Sequence, residues 1–276
     1  VKVRSTMIPL AVVVGLYLAW CVLLWLMQGK MLYPAAMAGP GLPEKAIAAE
    51  GDVERMWIGQ DDGVETEAWL LRAASTPSRG LVCFVHGNAE LIDDARFEAR
   101  EWTRRGFDVV LPEYRGYGRT PGTPSQARIV PDVVRAIDEA SGRTGATRVL
   151  LHGRSLGSGV AAQVAGRIGA SDGDRLAGLV LESPFTSVTS FAWRFGVPPA
   201  FVRDPYRTDA ALPKLAVPIL ILHATADEII PVAHGRTLAT LNPDARLVEL
   251  EGSHNSGLSS QAEYWRAIDA VFGPEP

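Results

Sequence analysis

Residues 148–159 read R-V-L-L-H-G-R-S-L-G-S-G: a strand-like run at 148–152, a serine flanked by glycines, then small residues in a helical stretch to 168. A strand that enters a helix through G-x-S-x-G turns very tightly. Side chains two positions before and after the serine would collide with backbone, which accounts for Gly153 and Gly157. The same turn lifts Ser155 Oγ clear of the sheet at a helix N-terminus, where the helix dipole favours developing negative charge. Ser155 is the candidate nucleophile.

An overlapping G-x-G-x-x-A at 157–162, with Glu182 twenty residues beyond Ala162, offers a rival reading as a dinucleotide site. That site needs its first two glycines inside the turn. Here Ser155 stands where the second should be, and Gly157 and Gly159 fall in the helix, where they allow close helix–sheet packing. Around this motif, strand-like runs occur at 55–58, 66–72, 81–85, 107–111, 176–181, 219–222 and 247–250. Helical stretches fall at 93–105, 131–140, 232–241 and 261–272. Strands separated by helices predict an α/β fold with one mostly parallel sheet covered on both faces.

A serine hydroxyl needs a base, and the base an orienting acid. On sheets of this kind the chain order is Ser, then Asp or Glu, then His. Asp227 follows the run 219–222 and His254 follows 247–250, so both fall in loops on the sheet edge that carries Ser155. Glu182 also ends a strand and competes with Asp227 as the acid. His86, His152 and His223 sit at strand ends and read as packed groups; His234 reads as a surface residue of a helix. The turn His86-Gly87-Asn88-Ala89 follows a buried strand, and the expected oxyanion donors are the backbone amides of Asn88 and Leu156. Residues 114–118, Y-R-G-Y-G, suit a rigid loop of structural role.

The composition narrows the alternatives. A formal charge of −4 gives no electrostatic case for nucleic acid. Two cysteines, Cys21 and Cys83, support neither a disulfide scaffold nor a cysteine-built zinc site. No charge occurs between Ser5 and Gly29, and residues 8–27 are almost wholly apolar. Twenty residues in a helix reach about 30 Å, the thickness of a bilayer's hydrocarbon core. A core helix would need a polar face. A cleaved signal peptide is compatible with Lys2, Arg4 and the small residues at 36–38, but its apolar core would be shorter. The preferred reading is an uncleaved single span with a cytoplasmic N-terminus and the catalytic part outside; secretion after cleavage is the alternative. This divides the chain into an anchor (1–30), a linker and domain edge (31–54) and an α/β domain (55–276).

With these residues in view, residues 50–272 resemble the α/β-hydrolase superfamily, most closely a membrane-anchored branch grouped with serine aminopeptidase-like hydrolases and protein depalmitoylases. The resemblance rests on H-G-N-A at 86–89, Y-R-G-Y-G at 114–118, G-R-S-L-G-S-G at 153–159, E-S-P-F at 182–185, the turn at 227–231 and the pair His254-Asn255. It implies a Ser155–His254–Asp227 triad that cleaves esters or amides without a cofactor. Glu113 and Ser253 depart from the pattern, at positions where Asp and Gly are common. Residues 184–216 sit where such hydrolases insert a cap. Its aromatics Phe185, Phe191, Trp193, Phe195, Phe201 and Tyr206 fit either a helical pair packed on the core or a small apolar lid for an acyl chain. The expected activity is carboxylic ester or thioester hydrolysis on a small-molecule or acylated substrate, with the lipid bilayer as partner through the anchor. The alternatives are an aminopeptidase and a catalytically silent interaction module.

Overall fold

Alternation along the central strands shows how the sequence builds the domain. In Leu81–Val85, Val82 and Phe84 face one side while Leu81, Cys83 and Val85 face the other, and all five are buried. A strand apolar on both faces needs helices on both, and the computed structural model, which describes residues 4–273, supplies them. Eight strands form one sheet: β1 (Val53–Gly59), β2 (Glu65–Leu71), β3 (Leu81–Val85), β4 (Asp108–Pro112), β5 (Val149–Arg154), β6 (Leu176–Glu182), β7 (Ile219–Ala224) and β8 (Ala245–Leu250). Their order is β1-β2-β4-β3-β5-β6-β7-β8; β2 pairs antiparallel with both β1 and β4, and every other pair is parallel.

The helices are α1 (Arg4–Leu32), α2 (Ala35–Ala38), α3 (Glu44–Ala49), α4 (Arg96–Arg104), α5 (Gln126–Thr144), α6 (Leu156–Ser171), α7 (Thr208–Ala211), α8 (Ala233–Ala239) and α9 (Ala262–Phe272). Residues of α5 and α6, among them Ile137, Val160 and Val164, close one core. Trp102 of α4 and Tyr264 and Ile268 of α9 close the other. The chain passes from β3 to β4 on one side and then crosses to β5 on the other. That reversal opens a crevice at the C-terminal ends of β3 and β5, the usual ligand position in such sheets.

Two expectations are corrected. The helix expected from residue 131 begins five residues earlier and runs through Pro131, because the Gln126 amide donates to Asp204 Oδ1 (3.0 Å) and fixes the first turn from outside the segment. The cap contains no helical pair: it is made of 3-10 turns at Val188–Phe195 and Pro199–Phe201, followed by the single turn α7. Its aromatics divide. Phe185 and Tyr206 enter the core, while Trp193, Phe195 and Phe201 stay exposed.

The helix expected to be an anchor touches the domain. Leu10–Ala38 is long and apolar enough to cross a membrane, with mean hydropathy reaching 2.5, a test that a signal sequence also passes. Yet α1 extends through residue 30, and its final turns dock on the cap, burying Cys21. Tyr33, just beyond it, bonds Tyr206 through their hydroxyls (2.9 Å).

Candidate active site

Ser155 is the one residue between β5 and α6, and its backbone takes φ 51°. A non-glycine residue in this region carries about 1–3 kcal/mol of strain and persists only where its surroundings hold it. The holding contacts are its amide on Glu182 O (2.9 Å) and its carbonyl, which accepts from the Ser158 amide (2.9 Å) and hydroxyl (2.6 Å). The flanking glycines are sterically required. A Cβ on Gly153 would lie 2.2 Å from Gly157 O, and one on Gly157 would lie 2.0 Å from Val85 O. Gly157 thus lets α6 sit directly against the end of β3, which is packing rather than a nucleotide cradle.

His254 Nε2 lies 3.1 Å from Ser155 Oγ, and its Nδ1 lies 2.7 Å from Asp227 Oδ2. The three residues come from loops after β5, β7 and β8, so the parallel register of these strands sets the line. The turn after β7 holds the carboxylate: Asp227 Oδ1 accepts from the amides of Ile229 (3.0 Å) and Ile230 (2.7 Å). Burial pushes the Asp227 pKa up, but the imidazoles of His223 and His254 and the Ile230 amide outweigh it and hold the carboxyl well below its usual range. His223 acts at longer range, 3.6 Å away, because its own Nε2 proton goes to Ile230 O (2.8 Å).

The loop after β3 is braced from three directions. Tyr114 OH donates to His86 O (2.7 Å) and Tyr117 OH to Asn88 O (2.7 Å). His86 Nε2 meets Glu113 Oε1 (2.9 Å), and its Nδ1 meets Gly87 O (2.8 Å). Both ring nitrogens face oxygen partners, an arrangement that favours the doubly protonated ring. Burial opposes that charge, but Glu113 prevails and raises the His86 pKa. Glu113 also accepts from the Ile92 (3.2 Å) and Tyr114 (2.9 Å) amides, so the departure at 113 is a structural one. The loop at 114–118 therefore supports residues 86–88. The amides of Asn88 and Leu156 donate to no group among the described residues.

Glu182 is turned away from His254. It receives Arg154 Nε (3.1 Å) and Tyr264 OH (2.7 Å), and burial raises its pKa despite both. Arg154 also pairs with Glu98 and reaches Glu90 (3.4 Å), gathering three acids beside the nucleophile turn. His152 is buried between Trp102 Nε1 (3.0 Å) and Tyr264 OH (2.9 Å). His234 differs from its expected surface position: it is half-buried, stacked on Phe191 and paired with Thr186 of the cap (3.1 Å). Tyr117 and the Arg154 cluster escaped sequence reading; the tyrosine of Y-R-G-Y-G was visible, but its partner 29 residues away was not. Among the described residues no group of three or more His, Cys, Asp or Glu is arranged to hold a metal ion.

Known proteins share parts of this sequence and fold. Residues 76–203 match the family described as serine aminopeptidase, S33. The chain is 29% identical to alpha/beta hydrolase domain-containing protein WAV2 of Arabidopsis thaliana, over 91% of this chain and 89% of that protein. It is 30% identical to uncharacterized protein YfhR of Salmonella typhi, over 76% and 77% of the two chains. Lysophosphatidylserine lipase ABHD12 of Macaca fascicularis is 31% identical over 70% of this chain, which spans about half, 52%, of that protein. Among solved structures, an alpha-beta hydrolase of Vibrio vulnificus superposes with TM-score 0.72 at 19% identity, covering 89% of this chain and 92% of its own.

Proposed function

This chain belongs to the α/β-hydrolase superfamily, in the branch of the serine aminopeptidase-like hydrolases, and on that premise we propose that it cleaves a carboxylic ester or thioester through an acyl-enzyme on Ser155. One observation carries the reading: the hydrogen-bonded line from Ser155 Oγ through His254 to Asp227. In the proposed reaction His254 Nε2 takes the Ser155 proton as Oγ attacks the carbonyl carbon. The Asn88 and Leu156 amides receive the negative charge that develops on the carbonyl oxygen, each such donor contributing about 3 kcal/mol. The leaving oxygen or sulfur departs with the proton from His254. Water then gives a proton to His254 and attacks the acyl carbon, and Ser155 recovers its hydrogen as the acid leaves. Asp227 stays ionised throughout, orienting the ring and stabilising its charged form.

Ester or thioester is preferred to peptide because an aminopeptidase needs an acid to hold the substrate amine. The acids gathered beside the nucleophile turn, Glu90, Glu98 and Glu182, are engaged by Arg154. The relative named a lysophosphatidylserine lipase points the same way, since a lipid ester falls within the proposed class. We read α1 as a single membrane span.

The test is intact mass after fluorophosphonate treatment of the full chain in detergent, alongside Ser155→Ala and His254→Ala. One adduct on the parent and none on Ser155→Ala is expected. Turnover of a soluble ester should fall by about 10⁴-fold or more in each variant, with little further loss in the double variant. Additive losses would contradict a concerted Ser155–His254 unit, and no adduct on a folded parent would favour the silent interaction module.

A further inference from the structure

We propose that the cap edge formed by Trp193, Phe195 and Phe201 is a membrane-docking surface that seats in the interfacial layer of the bilayer crossed by α1. The proposal rests on the reading of α1 as a span and deepens the proposed function: the substrate class becomes an acyl ester or thioester resident in that bilayer.

The argument begins with what joins α1 to the cap. Trp20 Nε1 donates to Phe195 O (2.9 Å), Gln28 Nε2 donates to Phe201 O (3.1 Å), and the Arg203 amide donates back to Gln28 Oε1 (2.8 Å). The Arg203 guanidinium lies 4.8 Å from the centre of the Trp25 ring. These contacts hold the cap at a defined height on the helix. Lys30 is the first charge after the uncharged run, so it marks the headgroup level. Gln28, bonded to Phe201 O, lies two residues before it, about 3 Å along the axis. The cap turn at Phe201 is therefore held at the headgroup level, and the amphipathic rings of Trp20 and Trp25 mark the interfacial layer beside it.

The surface at that height matches such an environment. Trp193 is 64% exposed, Phe195 47% and Phe201 39%, a costly display in water but a favourable one at a membrane interface. Between Phe185 and Val202 the only charged residue is Arg194, and Arg203 stands just beyond, so charge on this stretch is sparse and cationic. Continuity with α1 is what identifies a bilayer, rather than a protein, as the occupant.

The cap also connects to the site. Phe185 and Tyr206, at its two roots, close on Gly159, where a Cβ would lie 2.6 Å from Phe185 Cζ. Gly159 is four residues from Ser155, so the nucleophile lies beside the element that meets the membrane.

Depth-dependent quenching tests the proposal. Positions 193, 195 and 201 are changed singly to cysteine in the full chain, labelled with an environment-sensitive fluorophore and placed in phosphatidylcholine vesicles. Cys21 and Cys83 are buried and spared. Thr147, exposed just before β5 at the opposite sheet edge, carries the control label after the same change to cysteine. Blue-shifted emission, quenched by lipids spin-labelled at the headgroup or upper acyl chain, is expected at the three cap positions and not at 147. Water-like emission at all four overturns the proposal, as does quenching that depends on protein rather than lipid concentration, the mark of a second copy. The combined Trp193→Ser, Phe195→Ser, Phe201→Ser variant should lower the ratio of vesicle-held long-chain to soluble short-chain ester turnover at least ten-fold. An unchanged ratio overturns the link to substrate. A parent inactive on both esters defeats the hydrolase reading, while the quenching still judges the docking.

Discussion

The hydroxyl of Tyr117 donates a 2.7 Å hydrogen bond to the backbone carbonyl of Asn88, the residue whose amide is proposed to hold the oxyanion. The carbonyl and amide of Asn88 lie in two peptide planes hinged at one Cα, so fixing the first restricts the second. Tyr117→Phe should lower kcat about five- to tenfold, the equivalent of one hydrogen bond, with KM little changed. Steady-state kinetics on a soluble ester check this. A rise in KM alone would mean that the loop binds substrate rather than stabilising charge.

The His86–Glu113 pair makes a prediction about pH. The folded pKa of His86 is raised, so its stabilisation is complete below the unfolded value of about 6.5 and is lost as pH rises through the folded value. Melting temperature should therefore decline on the alkaline side of 6.5. Glu113→Gln should melt lower at pH 6 and lack that decline. Parallel melting curves across pH for the two proteins would show His86 to be neutral.

Asp227 behaves in the opposite sense. Its folded pKa is depressed, so its contribution is present above the unfolded value of about 3.9 and is lost as pH falls through the folded one. Asp227→Asn should reduce turnover by about 10⁴-fold and flatten the acid limb of the stability curve. Glu182→Gln, which leaves the His254–Asp227 bond intact, should retain far more activity. If the second variant loses more, the assignment of the orienting acid is reversed.

Why some of this was legible and some was not follows from the range of each interaction. Gly153 and Gly157 carry a steric demand that five consecutive residues express, so Ser155 stands out locally. Asp227 and His254 could be picked because strand order and loop position constrain which acid and imidazole reach one sheet edge. By contrast, α5 begins where Asp204, 78 residues away, caps Gln126, and local propensity instead suggested Pro131 as the first turn. The cap's 3-10 turns are shaped by α1 and by the packing of Phe185 and Tyr206, which no window of the sequence contains. The unspecified second position of G-x-S-x-G proved least readable of all, since Arg154 draws partners from residues 90, 98 and 182.

That arginine supports the last prediction. Arg154 meets three carboxylates, two of them buried, and Glu98 Oε2 has no hydrogen-bond partner among the described residues. Ser259 Oγ (2.7 Å) and Tyr264 OH (2.7 Å) add hydrogen bonds to Glu98 and Glu182, but neither supplies charge. Removing the guanidinium leaves buried acids facing one another, a loss of about 3–5 kcal/mol when one partner of a buried pair is deleted. Arg154→Met should thus melt well below the parent at neutral pH. Lowering the pH should restore part of the loss, because protonating Glu182, whose pKa burial already raises, relieves the repulsion. Arg154→Lys should fall between the two, since an ammonium keeps the charge but cannot fork to several acids. Adding Glu98→Gln to Arg154→Met should recover stability at neutral pH. Equal melting of Arg154→Met and parent at every pH would show that the acids are held neutral without the arginine.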